Sequence, residues 1–168
     1  MAKKTTRSQH KTQRKKNEAA AEATPIGVAF VRCLVVRFEL SSKNLAEVRR
    51  TGYSVAVHTI IDPKQQTTTL TTTVDISWEG NKESESGVLA SITTTSMYKI
   101  SGLDGMQEIS EFPGWIAATM TSASIGTTRG LLLSKLANTP YADLILPLFD
   151  LNSFLPEEAT KNVASHGI

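Results

Sequence analysis

The sequence predicts an α+β domain: a four-stranded antiparallel sheet, a meander with a crossover, followed by a long helix and a short C-terminal helix. Three observations predict it. Apolar residues recur with a period of two in four segments between Gly27 and Ile100, the pattern of half-buried strands. From Trp115 onward the apolar spacing becomes helical. Strand signals all precede helix signals, which segregates the helices after the sheet.

The first strand is read over Gly27–Leu40, where Val28, Phe30, Leu34, Val36, Phe38 and Leu40 share one face and Arg32 is the exception. Ser41–Arg50 is a polar connection with apolar spots at Leu45 and Val48. Tyr53–Ile61 is a second strand, rich in β-branched residues and stopped by Asp62-Pro63. Gln65–Glu79 alternates most clearly: Leu70, Val74, Ile76 and Trp78 on one side, Thr69, Thr71, Thr73, Asp75 and Ser77 on the other. A threonine-covered face suits a sheet half open to water. After a charged hairpin loop, Val88–Ile100 forms the fourth strand, with Val88, Ala90, Ile92, Tyr98 and Ile100 in phase. Trp115–Ala137 is the long helix, carrying Ile116, Met120, Ile125, Leu132, Leu133 and Leu136 at helical spacing and ended by Asn138-Thr139-Pro140. Ser122, Gly126, Gly130 and Ser134 recur every four residues, a stripe of small side chains against which another backbone can lie closely. Leu144–Leu155 is apolar and broken by Pro147, and a brief final helix is read near Pro156–Val163.

At 168 residues the chain is long enough for one domain, read as 26–163, with a basic arm over 1–25 and a tail over 164–168. The arm lacks periodic apolar positions and is expected to be disordered. It concentrates Lys3, Lys4, Arg7, Lys11, Arg14, Lys15 and Lys16 without an acid among them. From Thr24 onward, 14 acidic side chains against 11 basic ones leave a body of net −3. The apolar run of a signal peptide does not follow the basic start, and Ile26–Val36 is too short and too interrupted to cross a bilayer. Cys33 stands alone, which excludes an internal disulfide and fits a reducing, cytoplasmic setting. Two alternatives for the arm stay open: an organelle transit peptide, or a nucleic-acid or ribosome contact through its cations, for which no interleaved aromatic offers base stacking.

Catalytic constellations are missing from the sequence. It holds no phosphate-binding glycine loop, no dinucleotide fingerprint and no nucleophile elbow. His10, His58 and His166 stand apart, without metal-ligand spacing. The expectation is a protein without enzymatic activity, cofactor or metal. What it holds in surplus is apolar surface. Leu103, Met106, Ile109, Phe112, Trp115, Ile116 and Met120 crowd one stretch; Leu144, Ile145, Leu146, Leu148, Phe149, Leu151 and Phe154 crowd another. A domain with one four-stranded sheet cannot bury all of them, so some face a partner, a subunit or a client.

Two runs resemble the SecB family of protein-export chaperones over about Val31–Phe154. One is Met97-Tyr98-Lys99-Ile100-Ser101-Gly102-Leu103-Asp104-Gly105, similar to the family's fourth-strand ending. The other runs from Thr128-Arg129-Gly130-Leu131-Leu132 through Asn138-Thr139-Pro140 to Leu146-Pro147-Leu148 and Phe149-Asp150-Leu151, similar to the family's long helix with its arginine, turn and leucine-proline segment. The resemblance implies a cytoplasmic homotetramer, a dimer of dimers, that holds unfolded polypeptides in apolar grooves without ATP. It places groove positions at Leu45, Val48 and Val55, at Phe112, Trp115 and Ile116, and at Leu144, Leu146 and Phe149, with Ser122, Gly126 and Gly130 on a helix-packing or subunit surface. The export members' acidic docking face for the SecA motor corresponds to Arg37, Ser42 and Ser91, and arginine for an acid reverses the local attraction. That departure argues against SecA docking and favours a dedicated client, such as the antitoxin that some SecB-like proteins guard. A purely structural assembly protein is the remaining alternative.

Overall fold

The computed structural model describes residues 26–82, 85–102, 108–144 and 146–147. The basic arm, Phe149, the short C-terminal helix near Pro156–Val163 and the tail 164–168 lie outside the described residues. Four strands, β1 (Gly27–Leu40), β2 (Arg50–Asp62), β3 (Thr67–Glu79) and β4 (Ser86–Ser101), precede one long helix, α1 (Gly114–Leu136). The sheet is antiparallel throughout, in the order β1-β4-β3-β2. Strands β2 to β4 form a meander. The chain from Ser41 to Arg49 crosses over its end, so that β1 lies against β4.

The turns follow local chemistry. Asp62 Oδ1 accepts hydrogen bonds from the backbone N–H of Lys64 (3.0 Å) and Gln65 (3.2 Å), tightening the β2–β3 connection. Gln66 there takes a positive φ of 52°. At the β3–β4 end, Gly80 N–H donates to Glu85 O at 2.7 Å. Helix α1 opens at Pro113, whose carbonyl accepts from Ile116 N–H at 2.8 Å. It closes where the backbone N–H and the hydroxyl of Thr139 both donate to Leu136 O, at 2.9 and 2.8 Å. These bonds satisfy carbonyls that a helix end otherwise leaves bare.

Helix α1 covers one face of the sheet, and the core sits between them. Leu70, Val74 and Ile76 of β3 and Ala90, Ile92, Tyr98 and Ile100 of β4 are buried against Ile116, Met120, Ile125, Leu132 and Leu136. The other face carries Thr69, Thr71, Thr73 and Asp75 opposite Met97, Thr95, Thr93 and Ser91. There Thr73 Oγ1 lies 3.0 Å from Thr93 Oγ1, and Ser91 Oγ donates to Asp75 Oδ1 at 2.5 Å.

Irregularities in register correct the single-phase readings of β1 and β4. Shifts between Phe30 and Arg32 and between Val35 and Arg37 each insert one residue and flip the following side chains to the opposite face. Val28, Phe30, Cys33, Val35, Phe38 and Leu40 therefore pair with helix-side positions of β4, while Leu34 shares the open face with Arg32 and Val36 is an inserted residue. The arginine that looked out of phase is in phase with a bulged strand. In β4 the shift opposite Ile76/Ser77 exposes Val88 and buries Leu89 in its place.

Candidate functional site

The crossover is fastened at both ends and in its middle. Ser41 N–H donates to Leu89 O (2.7 Å) and Arg49 N–H to Glu79 O (2.9 Å), docking the segment on the sheet's end. Asn44 Oδ1 accepts from Ala46 N–H at 3.0 Å and caps the single turn Leu45–Glu47. Lys43 pairs with Glu47 and places its Nζ 4.4 Å from the centroid of the Trp78 ring, a cation–π contact. Gly87 lies opposite Trp78, and a Cβ there would come within 2.9 Å of the indole nitrogen. The tryptophan needs that glycine as its neighbour.

Beyond the end of α1, Tyr141 closes the arrangement. Its single O–H is shared between Ser41 O (3.0 Å) and Lys43 O (2.5 Å), tying the post-helix turn to the crossover. Between these two segments lies a hollow of about 430 Å³ lined by Leu40, Ser41, Lys43, Leu45, Pro140 and Tyr141, among others. Half-buried Leu45, Val48, Val55 and Leu144 pack against the core cluster formed by Val74, Ile76, Leu89, Ile92, Leu132, Leu136, Tyr141 and Leu146. Arg129 Nη2 donates to Leu146 O at 2.7 Å and pins that strap to the helix. The hollow thus mixes the apolar side chains of Leu40, Leu45, Pro140 and Tyr141 with polar Ser41, Ser42, Lys43 and Asn44.

The expected groove residues divide. Leu45, Val48, Val55 and Leu144 gather at the crossover end, whereas Phe112, Trp115 and Ile116 sit at the other end of α1. Trp115 and Leu136 are separated by 21 residues, roughly 31 Å along the axis. Phe112, Ile116 and Leu146 are buried in the single chain, with exposures of 6%, 0% and 1%. Their helical and strap spacing fills the sheet–helix interior first, which is the cheapest place for them. Trp115 is 53% exposed, on the outer face of α1 that also presents Ser122, Gly126, Gly130 and Leu133. Among the described residues, a Cβ at Gly126 or Gly130 would meet nothing within 4 Å, so the described part of the protein leaves that face level.

Residues missed from sequence are Tyr141, Pro140, Ser41 and Lys43. The available signal was a lone tyrosine directly after the Thr-Pro stop, a position where an amphipathic ring can pack and still donate. Strand β1 adds a second apolar surface: Phe30, Val31, Leu34, Val35, Val36 and Leu40 are all exposed, and among the described residues β1 is an edge strand. Phe30 rests edge-on against Tyr98, ring centroids 5.5 Å apart. Burial pushes the Tyr98 phenol above its ordinary pKa, and its hydroxyl lies 2.9 Å from Ser124 Oγ and donates to Met120 O at 3.1 Å. Among the described residues no group of three His, Cys, Asp or Glu side chains is placed to hold a metal, and no helix is long and apolar enough to cross a membrane.

No family model matches the sequence, and no curated protein matches it either. Among solved structures, the fold is similar to the Mycobacterium tuberculosis Rv1957 SecB-like chaperone in complex with a ChAD peptide from the Rv1956 HigA1 antitoxin. The TM-score is 0.54 at 13% identity, over 73% of this chain and 91% of that one. A protein of unknown function from Streptococcus agalactiae matches with a TM-score of 0.46 and 14% identity, over 75% of this chain and 100% of that one. The four-stranded antiparallel sheet followed by one long helix is a SecB-like fold.

Proposed function

We propose that this protein is an ATP-independent, SecB-like chaperone that holds unfolded polypeptide segments at the crossover hollow. The observation that carries the reading is the hollow itself, lined by Leu40, Leu45, Pro140 and Tyr141 beside the polar Ser41, Ser42, Lys43 and Asn44, next to half-buried Val48, Val55 and Leu144 on the core. Apolar side chains of a bound segment supply the affinity there, each gaining about 1.5–3 kcal/mol on full burial. One such site is too weak for lasting capture. Several copies on one assembly raise the effective concentration of the next site and turn weak contacts into durable, sequence-tolerant holding.

The reading includes a homotetramer, a dimer of dimers. It is supported by two uncovered surfaces of different character: the apolar β1 edge and the level face of α1 with Ser122, Gly126 and Gly130. Trp115, Leu144 and Phe149 extend the client surface in the assembly. A dedicated client, guarded as an antitoxin is guarded, is favoured over SecA-linked export by Arg37 and Ser91, which stand on the open sheet face where the export members carry acids. The solved neighbour that binds an antitoxin peptide points the same way. In this reading the cations Lys3, Lys4, Arg7, Lys11, Arg14, Lys15 and Lys16 are accessory to holding and contact nucleic acid or ribosome in the cytoplasm. The test is aggregation of a reduced, unfolded model protein: stoichiometric tetramer suppresses it without ATP, and undiminished light scattering contradicts the proposal.

A further inference from the structure

The interface between α1 and the sheet consists of two cores rather than one. The N-terminal half of the helix contributes Ile116 and Met120 to a cluster with Leu70, Tyr98, Ile100 and Phe112. The C-terminal half contributes Leu132 and Leu136 to the cluster beneath the crossover hollow. Between them runs a band of buried hydroxyls. Thr121, Ser124 and Thr128 of the helix and Thr72, Thr94 and Ser96 of the sheet are all at most 2% exposed. Thr94 and Thr128 bond to each other at 2.5 Å and Ser124 Oγ lies 2.9 Å from the Tyr98 hydroxyl, whereas among the described residues the hydroxyls of Thr72 and Ser96 have no partner. Cohesion across this band is therefore weaker than in either apolar cluster, because a desolvated hydroxyl without a partner opposes burial.

The helix is also at its least rigid over the band. Ser124-Ile125-Gly126-Thr127-Thr128-Arg129-Gly130 contains two glycines, which lower helix propensity. Thr128 Oγ1 donates back to Ser124 O at 2.8 Å, the type of side-chain bond that bends helices. Ser/Gly combinations and intruding hydroxyls are the usual sites of helix kinks. We infer that α1 is hinged at Ser124–Gly130, so that its C-terminal half, with Tyr141 and the hollow, opens independently of its N-terminal half. The use of that opening, admitting segments of different girth, rests on the reading of the hollow as a polypeptide site; the hinge itself does not.

Hydrogen exchange on the full-length protein without client tests the hinge. Amides of Gly130–Leu136 exchange about tenfold faster than those of Ile116–Met120, with a step between Ser124 and Gly130. A single uniform rate, or a smooth gradient from the helix end as in fraying, overturns the inference. Replacing the idle hydroxyls with Thr72→Val and Ser96→Ala joins the two cores. In that variant, exchange of Gly130–Leu136 slows about tenfold while Ile116–Met120 changes less than about twofold; equal slowing of both halves overturns it. Should the variant not fold, the step in the native profile decides alone. Exchange rates are read without client, so a failed aggregation assay leaves this result standing, and the reverse.

Discussion

Tyr141 is the side chain on which the hollow depends most. It is 2% exposed, and its hydroxyl reaches the crossover carbonyls of Ser41 and Lys43. Tyr141→Phe keeps the ring and removes the bond, so stability falls by about 1–2 kcal/mol, read as a lower denaturant midpoint at unchanged slope. Tyr98 makes a pH prediction. Its folded pKa is raised by burial, so the neutral phenol is favoured in the fold and the phenolate in the unfolded chain. Its contribution is complete below the ordinary tyrosine value of about 10 and is lost as pH rises through the folded pKa. Unfolding midpoints measured across the alkaline range should fall more steeply for the native chain than for Tyr98→Phe, and parallel curves would contradict this. Single residues of this kind were the least legible in the sequence. Tyr98 reads as one apolar position in phase, and nothing local shows that its hydroxyl reaches a helix 22 residues later.

The elements were far more legible, for a physical reason. Period two and helical spacing are local consequences of burying one face, so β1 and β3 and the span of α1 read nearly to their ends. The Thr-covered face of β3 is open, as its alternation implies. What one sequence does not show is a bulge, because an inserted residue looks the same as an out-of-phase one; Val31, Val36 and Leu89 are the instances. Which apolar side chains face outward is hidden at the same level. Phe112 and Ile116 lie close in sequence to Trp115 and are equally apolar, yet only Trp115 points outward, and helix rotation decides which. Two predictions belong here. Val36→Lys places a charge on the exposed β1 edge, a device that blocks edge pairing; light scattering should show particles of about half the mass with folding retained. Gly126→Leu puts a branched side chain on the level face of α1, and it should likewise reduce the assembly without unfolding the protomer. An unchanged mass in both would remove these surfaces from the assembly.

At the scale of the whole molecule, apolar surface is distributed unevenly. The sheet's hydroxyl face is quiet, while the β1 edge, the outer face of α1 and the crossover end carry what the protomer does not bury. In the proposed reading, neighbouring protomers cover part of this surface, and the hollow is where a chain without a fold lodges. The basic arm is independent of this logic. Removing residues 2–16 should leave polypeptide holding intact and abolish any salt-dependent RNA retention. The most direct measurement is the affinity of a labelled apolar peptide for the native assembly and for a Leu45→Asp, Leu144→Asp variant of equal mass. The account predicts binding weakened about tenfold or more by the charges at the crossover; equal affinity for the two would contradict it.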